Sequence, residues 1–172
     1  MRTRRVGLGV DIGGTFTKIV AATREGIVLD RARVATRPSL GPRRFVVRLA
    51  EALRRFERGL RARAEAVGVG AAGDVDPARG IIRFSPNMRS FDRYPLRDAL
   101  AAALRRRVCL HNDADMAAWG GYAVELGRRK KNLAAFTMGT GIGGGLVLGG
   151  RLFLGSTGSA GEFGHMRIAR GG

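Results

Sequence analysis

The tetrad Asn112-Asp113-Ala114-Asp115, followed 26 residues after Asp113 by Gly139-Thr140-Gly141-Ile142-Gly143-Gly144-Gly145, constrains this chain more than any other feature. A carboxylate that opens a helix can accept a proton from an alcohol. A glycine-rich turn lets backbone N–H groups approach a polyphosphate without obstruction by a Cβ. Together they point to phosphoryl transfer to a hydroxyl. An earlier segment, Val6-Gly7-Leu8-Gly9-Val10-Asp11-Ile12-Gly13-Gly14-Thr15, is an apolar strand that runs into Asp11 and a tight turn. In isolation Gly13-Gly14 is equally a hairpin turn. Asp11 and Thr15 bracket it with a carboxylate and a hydroxyl, which suit Mg2+, held through water, and a phosphate.

Hydrophobic periodicity orders the rest. Residues 6 to 12, 16 to 23 and 26 to 36 read as three strands linked by short turns, a meander in its simplest arrangement. Phe45, Leu49, Leu53, Phe56 and Leu60 recur at helical spacing, which predicts an amphipathic helix from about 42 to 66. Strands follow at 67 to 71 and 80 to 84, then a helix from Pro95 with Leu96, Leu100 and Leu104 on one face, and a strand at 108 to 111. A helix from Asp113 to about Gly127 leads to a strand at Leu133–Met138, the glycine turn and a partner strand at Leu146–Leu148. With 172 residues, 45% of them hydrophobic, the chain can bury a core, as one domain plus part of a second.

The net charge of +17 raises a nucleic-acid-binding alternative. Most of Arg43, Arg44, Arg48, Arg54, Arg55, Arg58, Arg61 and Arg63 fall on the polar side of the first helix, where a solvated face is the commoner reading. Arg105-Arg106-Arg107 and Arg128-Arg129-Lys130-Lys131 sit at predicted helix ends, where cations complement the macrodipole. No 18-residue apolar run and no signal-peptide pattern occurs, so no membrane partner and a cytoplasmic location are expected. The single cysteine, Cys109, excludes an intramolecular disulfide.

Five segments in order resemble the ROK (repressor, open reading frame, kinase) sugar kinases of the actin-like ATPase superfamily. They are Asp11-Ile12-Gly13-Gly14-Thr15, Gly70-Ala71-Ala72-Gly73, Ser85-Pro86-Asn87, the Asn112 tetrad, and Gly139 to Gly145 followed by Gly161-Glu162-Phe163-Gly164-His165. The resemblance implies an α/β chain with the ribonuclease-H-like fold, divided into a first lobe at 1–112 and, at 113–172, a connecting helix and the start of a second. It implies ATP and Mg2+ as cofactors, with Asp11, Gly13, Gly14, Thr15, Gly139, Thr140, Gly141, Gly143, Gly144 and Gly145 binding the nucleotide and its metal. Asp113 is implied as the general base, though a carboxylate at a helix N-terminus also stabilises the helix dipole, and both roles can coexist. Asp115 points to a different face and cannot easily share the same proton.

Gly73, Asn87, Asn112, Glu162 and His165 are implied sugar contacts. A carboxylate and an imidazole side by side satisfy hydroxyls that both donate and accept; Pro86-Asn87 is equally a common turn. Many relatives have Asn where this chain has Asp115. In zinc-binding relatives the histidine matching His165 joins three cysteines that follow shortly afterwards, and the sequence ends at Gly172 before any could appear. Zn2+ is therefore expected only in a longer chain, of which this is expected to be an inactive fragment, with a homodimer expected of the full-length form. The leading reading is an ATP-dependent hexose or N-acylhexosamine kinase, with polyphosphate as an alternative donor. A non-catalytic sugar-binding module is a second reading. A sugar-responsive repressor is a third, disfavoured because only ten residues precede Asp11 and a helix-turn-helix domain does not fit there.

Overall fold

The computed structural model describes residues 4–139 and 141–169. It divides into two compact units, Met1–Asp113 and Ala114–Gly172.

In the first unit, β1 (Arg4–Ile12), β2 (Phe16–Ala22) and β3 (Val28–Ala35) form the expected antiparallel meander. Helix α1 (Pro42–Leu60) leads to β4 (Ala62–Ala71), which pairs parallel with β1. A hairpin of β5 (Asp74–Asp76) and β6 (Ile81–Phe84) and then α2 (Leu96–Leu104) precede β7 (Arg107–Asn112), which is parallel to β4. The sheet order is β3-β2-β1-β4-β7. Pro42 starts α1 with a preset φ. Phe45, Val46, Leu49, Ala50 and Leu53 turn its apolar stripe into the core, where Phe45 meets Phe91 edge to face at 5.2 Å. Arg43, Arg44, Arg54, Arg55 and Arg58 are exposed on the opposite side, a solvated face.

Helix α1 stops six residues before the expected end at 66. Arg61 takes a left-handed conformation, φ 48°, and Ala62 to Ala64 pair with the start of β1. The helical stripe ends at Leu60, and an alternation with Ala64 inward and Arg63 outward replaces it. Glu57 fixes this junction. Its carboxylate accepts the Ala64 N–H at 2.7 Å and a bond from Arg106 Nη1 at 2.5 Å, with the two side chains only 8% and 14% exposed. Arg106 is therefore a buried ion-pair partner and not a cation complementing the end of α2. Arg105 is the C-cap of that helix, in the left-handed region, and Arg107 belongs to β7.

In the second unit, α3 (Asp113–Gly120), which starts on the last residue of the first, gives way to a π turn at Gly121–Glu125 instead of running to Gly127. The Gly120-Gly121 pair lowers the cost of that change, and Gly127 at φ 55° ends the segment. Three antiparallel strands follow in the order β10-β9-β8: β8 (Leu133–Met138), β9 (Ile142–Leu148) and β10 (Arg151–Phe153). Strand β9 begins four residues earlier than expected and takes in Gly143, Gly144 and Gly145. Among the described residues no helix is long and apolar enough to cross a membrane.

Glu57→Ala is expected to destabilise the first unit by about 3 kcal/mol or more, because it strands the Arg106 guanidinium in a nearly dry site. Urea unfolding followed by far-UV circular dichroism measures the loss. Glu57→Gln, which keeps an acceptor, is expected to cost less.

Candidate active site

Parallel registration gathers three sequence-remote motifs at one end of the first unit's sheet. Ile12 of β1 faces Ala71 of β4, which faces Asn112 of β7. The turn at Gly13-Gly14, the bend at Ala72-Gly73 and the Asn112-Asp113 corner therefore all leave the sheet at the same level. This carboxyl end of parallel strands is where open α/β sheets bind ligands.

Thr36, fully buried, donates its hydroxyl to the Gly13 carbonyl at 2.7 Å, and its N–H reaches the Thr15 carbonyl at 2.9 Å. These bonds hold the turn between β1 and β2. Thr17 supports it from behind, with its hydroxyl 3.0 Å from that of Thr36. A Cβ on Gly14 would stand 3.0 Å from the Asn87 Cβ, so the glycine lets the Ser85-Pro86-Asn87 segment close on the turn. Asn112 donates Nδ2–H to the Gly73 carbonyl at 2.9 Å, tying two of the expected sugar contacts to each other. Gly73 sits at φ 115°, and a Cβ there would meet the Phe84 carbonyl at 2.4 Å, so local packing demands glycine whatever the ligand.

Asp11 pairs across the hairpin with Lys18 at 3.1 Å, its side chain still 49% exposed. One half-open carboxylate suits a hydrated Mg2+, which keeps most of its waters. Asp113 is exposed and Asp115, two residues on, is buried, so the two carboxylates occupy different environments. His111 lies one residue before the corner. Its Nδ1 is buried without a hydrogen-bond partner, and burial holds the imidazole below its ordinary pKa.

The second unit holds the remaining expected residues. Gly139 donates its N–H to the Gly141 carbonyl at 2.9 Å, forming a tight turn with open space around both α-carbons; Thr140 lies outside the described residues. Gly143, Gly144 and Gly145 lie in β9, where the missing Cβ atoms make room. A Cβ would meet the Ala114 Cβ at 3.0 Å from Gly143, the Phe163 ring at 2.2 Å from Gly144, and the Ala118 Cβ at 2.7 Å from Gly145. Close packing against α3 and Phe163 thus explains these three glycines without any phosphate. Phe163 stacks on Phe136 at 4.5 Å, which fixes the short helical turn Phe163–His165. Glu162 and His165 both face solvent, with Oε2 and Nε2 3.9 Å apart. Among the described residues no three His, Cys, Asp or Glu side chains cluster as metal ligands, so those beside His165 do not fit Zn2+.

Lys18, Thr36 and Phe163 were not singled out in the sequence. Their contacts need the strand register and the packing, although Phe163 was visible as the apolar residue inside the Glu162–His165 motif.

Residues 7–172 match the ROK family model, and the chain belongs to that family. It is 38% identical over 167 residues to the glucokinase of Streptomyces coelicolor, covering 96% of this chain and 50% of that protein. It is 34% identical to the N-acetylmannosamine kinase of Vibrio cholerae, covering 94% of this chain and 54% of that protein. The structure of a ROK glucokinase from Streptomyces griseus, in complex with glucose and AMPPNP, superposes with a TM-score of 0.83 at 37% identity, covering 97% of this chain and 52% of that one. The fold is accordingly that of the actin-like ATPases. The chain spans about half the length of the curated relatives it matches.

Two substitutions separate packing from open space in the glycine run. Gly145→Ala is expected to destabilise the second unit by about 1–3 kcal/mol through overpacking. Gly139→Ala, with nothing within 4 Å, is expected to stay within about 0.5 kcal/mol of the parent. Thermal unfolding of both variants checks this.

The lowered pKa of His111 sets a pH dependence with a definite sign. Below the unfolded value of about 6.5 the unfolded chain binds the proton more readily than the folded one, so stability falls as pH drops and levels off below the folded-state pKa. His111→Gln is expected to remove that slope, read from urea midpoints across the acidic range.

Proposed function

We propose that this chain is the half of an ATP-dependent sugar kinase that carries the catalytic base. The reaction is transfer of the γ-phosphoryl group to a hydroxyl, O6, of glucose or a related hexose or N-acylhexosamine. The observation that carries this reading is the convergence of Asp11-Gly13-Gly14, Gly73 with Asn87, and Asn112-Asp113 at the carboxyl end of β1, β4 and β7. A phosphate turn, a polar sugar-sized set and an exposed carboxylate on one sheet edge are what such a transfer requires.

Asp113, exposed at the start of α3, accepts the proton of the attacking hydroxyl. Asn112, locked onto Gly73, and Asn87 orient the neighbouring hydroxyls. The Gly13-Gly14 turn, stiffened by Thr36, presents the Gly14 N–H to phosphate, and the Gly139–Gly141 turn is a further nucleotide contact. Mg2+, when bound, would neutralise charge on the transferred phosphoryl group, and Asp11 would hold it through water. Glu162 and His165 add donors and acceptors for the sugar ring. Residues 1–112 form the first lobe of this kinase, and 113–172 its connecting helix and the opening of the second. The glucose and AMPPNP in the S. griseus relative support both substrate classes.

An assay of sugar-phosphate formation by the full-length enzyme, with a panel of hexoses and N-acylhexosamines and with ATP or polyphosphate as donor, identifies the sugar and the donor. In the full-length enzyme Asp113→Asn is expected to keep sugar affinity while turnover falls by at least about 100-fold. Turnover close to the parent's removes Asp113 from the chemistry.

A further inference from the structure

A groove of about 370 Å³ opens between the edge strand β3 and helix α1, and no residue assigned above to sugar or nucleotide lines it. Three arginines on α1, Arg48, Arg55 and Arg58, share its wall with Glu51. Arg48 reaches across the groove and donates Nη2–H to the Ala35 carbonyl at 3.2 Å, which anchors its guanidinium. Its Nη1 is buried and has no acceptor. Glu51 is one helical turn from both Arg48 and Arg55, yet among the described residues it makes no ion pair with any of the three. The groove therefore keeps two positive charges in excess.

We propose that this groove is a second anion site, built for a phosphomonoester on a small, partly apolar body. A phosphomonoester carries about 1.5 to 2 negative charges at neutral pH, matching the excess. Its oxygens suit the planar fork of arginine, which binds phosphate bidentately where lysine offers a point charge. The volume lies in the range of small-molecule sites. Val34 and Ala52 on the walls give the body of the ligand apolar contact. Because α1 and β3 belong to the unit that carries the Gly13-Gly14 turn, and Ala35 directly precedes the Thr36 that holds it, occupancy of the groove is placed to influence that turn.

Amide chemical shifts of the 172-residue chain, titrated with phenyl phosphate, inorganic phosphate and benzyl alcohol, test the site. The expected result is saturable shifts at Val34, Ala35, Leu49 and Ala52 with phenyl phosphate, weaker binding of inorganic phosphate and none of benzyl alcohol. Arg55→Gln and Arg58→Gln, both exposed and neutral to folding, are each expected to weaken phenyl phosphate about tenfold. Shifts that never saturate, or that spread equally to Arg43, Arg44 and Arg54, overturn the proposal. So does unchanged affinity in both variants, and equal binding of inorganic phosphate overturns the monoester assignment. None of these readings depends on kinase turnover.

Discussion

Parallel pairing of β1 with β4, and of β4 with β7, is the constraint on which the candidate site depends. Val6, Leu8, Val10, Val67, Val69 and Leu110 are there to be buried. Their register brings Ile12, Ala71 and Asn112 level, so three motifs scattered over a hundred residues of sequence open onto one edge. Hydrophobic burial thus sets the positions of the polar chemistry, and the hydrogen bonds of Thr36 and Asn112 only refine them. The Glu57–Arg106 pair serves the same end more indirectly, since it clamps the start of β4 and the approach to β7 against α1.

The meander, the amphipathic α1 and the apolar α2 were legible in the sequence because each has a clear period of its own. What escaped was set by contacts distant along the chain. The early end of α1 follows from Ala62–Ala64 pairing with β1, a competition local propensity cannot express. Arg106 looked like one of a basic trio because its partner lies 49 residues away. Hairpin strand β5 has Val75 as its single apolar residue, too little to show a period.

The site was legible as motifs but not as geometry. Gly139 to Gly145 reads as one glycine turn, yet the structure splits it. Gly139 and Gly141 form the turn, and Gly143 to Gly145 are strand residues pressed against α3 and Phe163. Sequence cannot distinguish a glycine that admits a ligand from one that admits a neighbouring helix, since both need the Cβ gone. Asp113 and Asp115, similar on paper, separate into an exposed and a buried carboxylate once α3 is built.

Strand β3 forms one margin of the five-stranded sheet, with no strand beyond it among the described residues. Exposed Arg31 and Arg33 lie on it, with the Arg33 guanidinium 4.3 Å over the Phe16 ring. A second chain adding its own strand there would bring arginine against arginine, across a margin already flanked by the basic face of α1. Such like-charge margins are how natural sheets avoid extending into one another. Positive charge along this margin therefore opposes strand addition, an effect that salt weakens by screening.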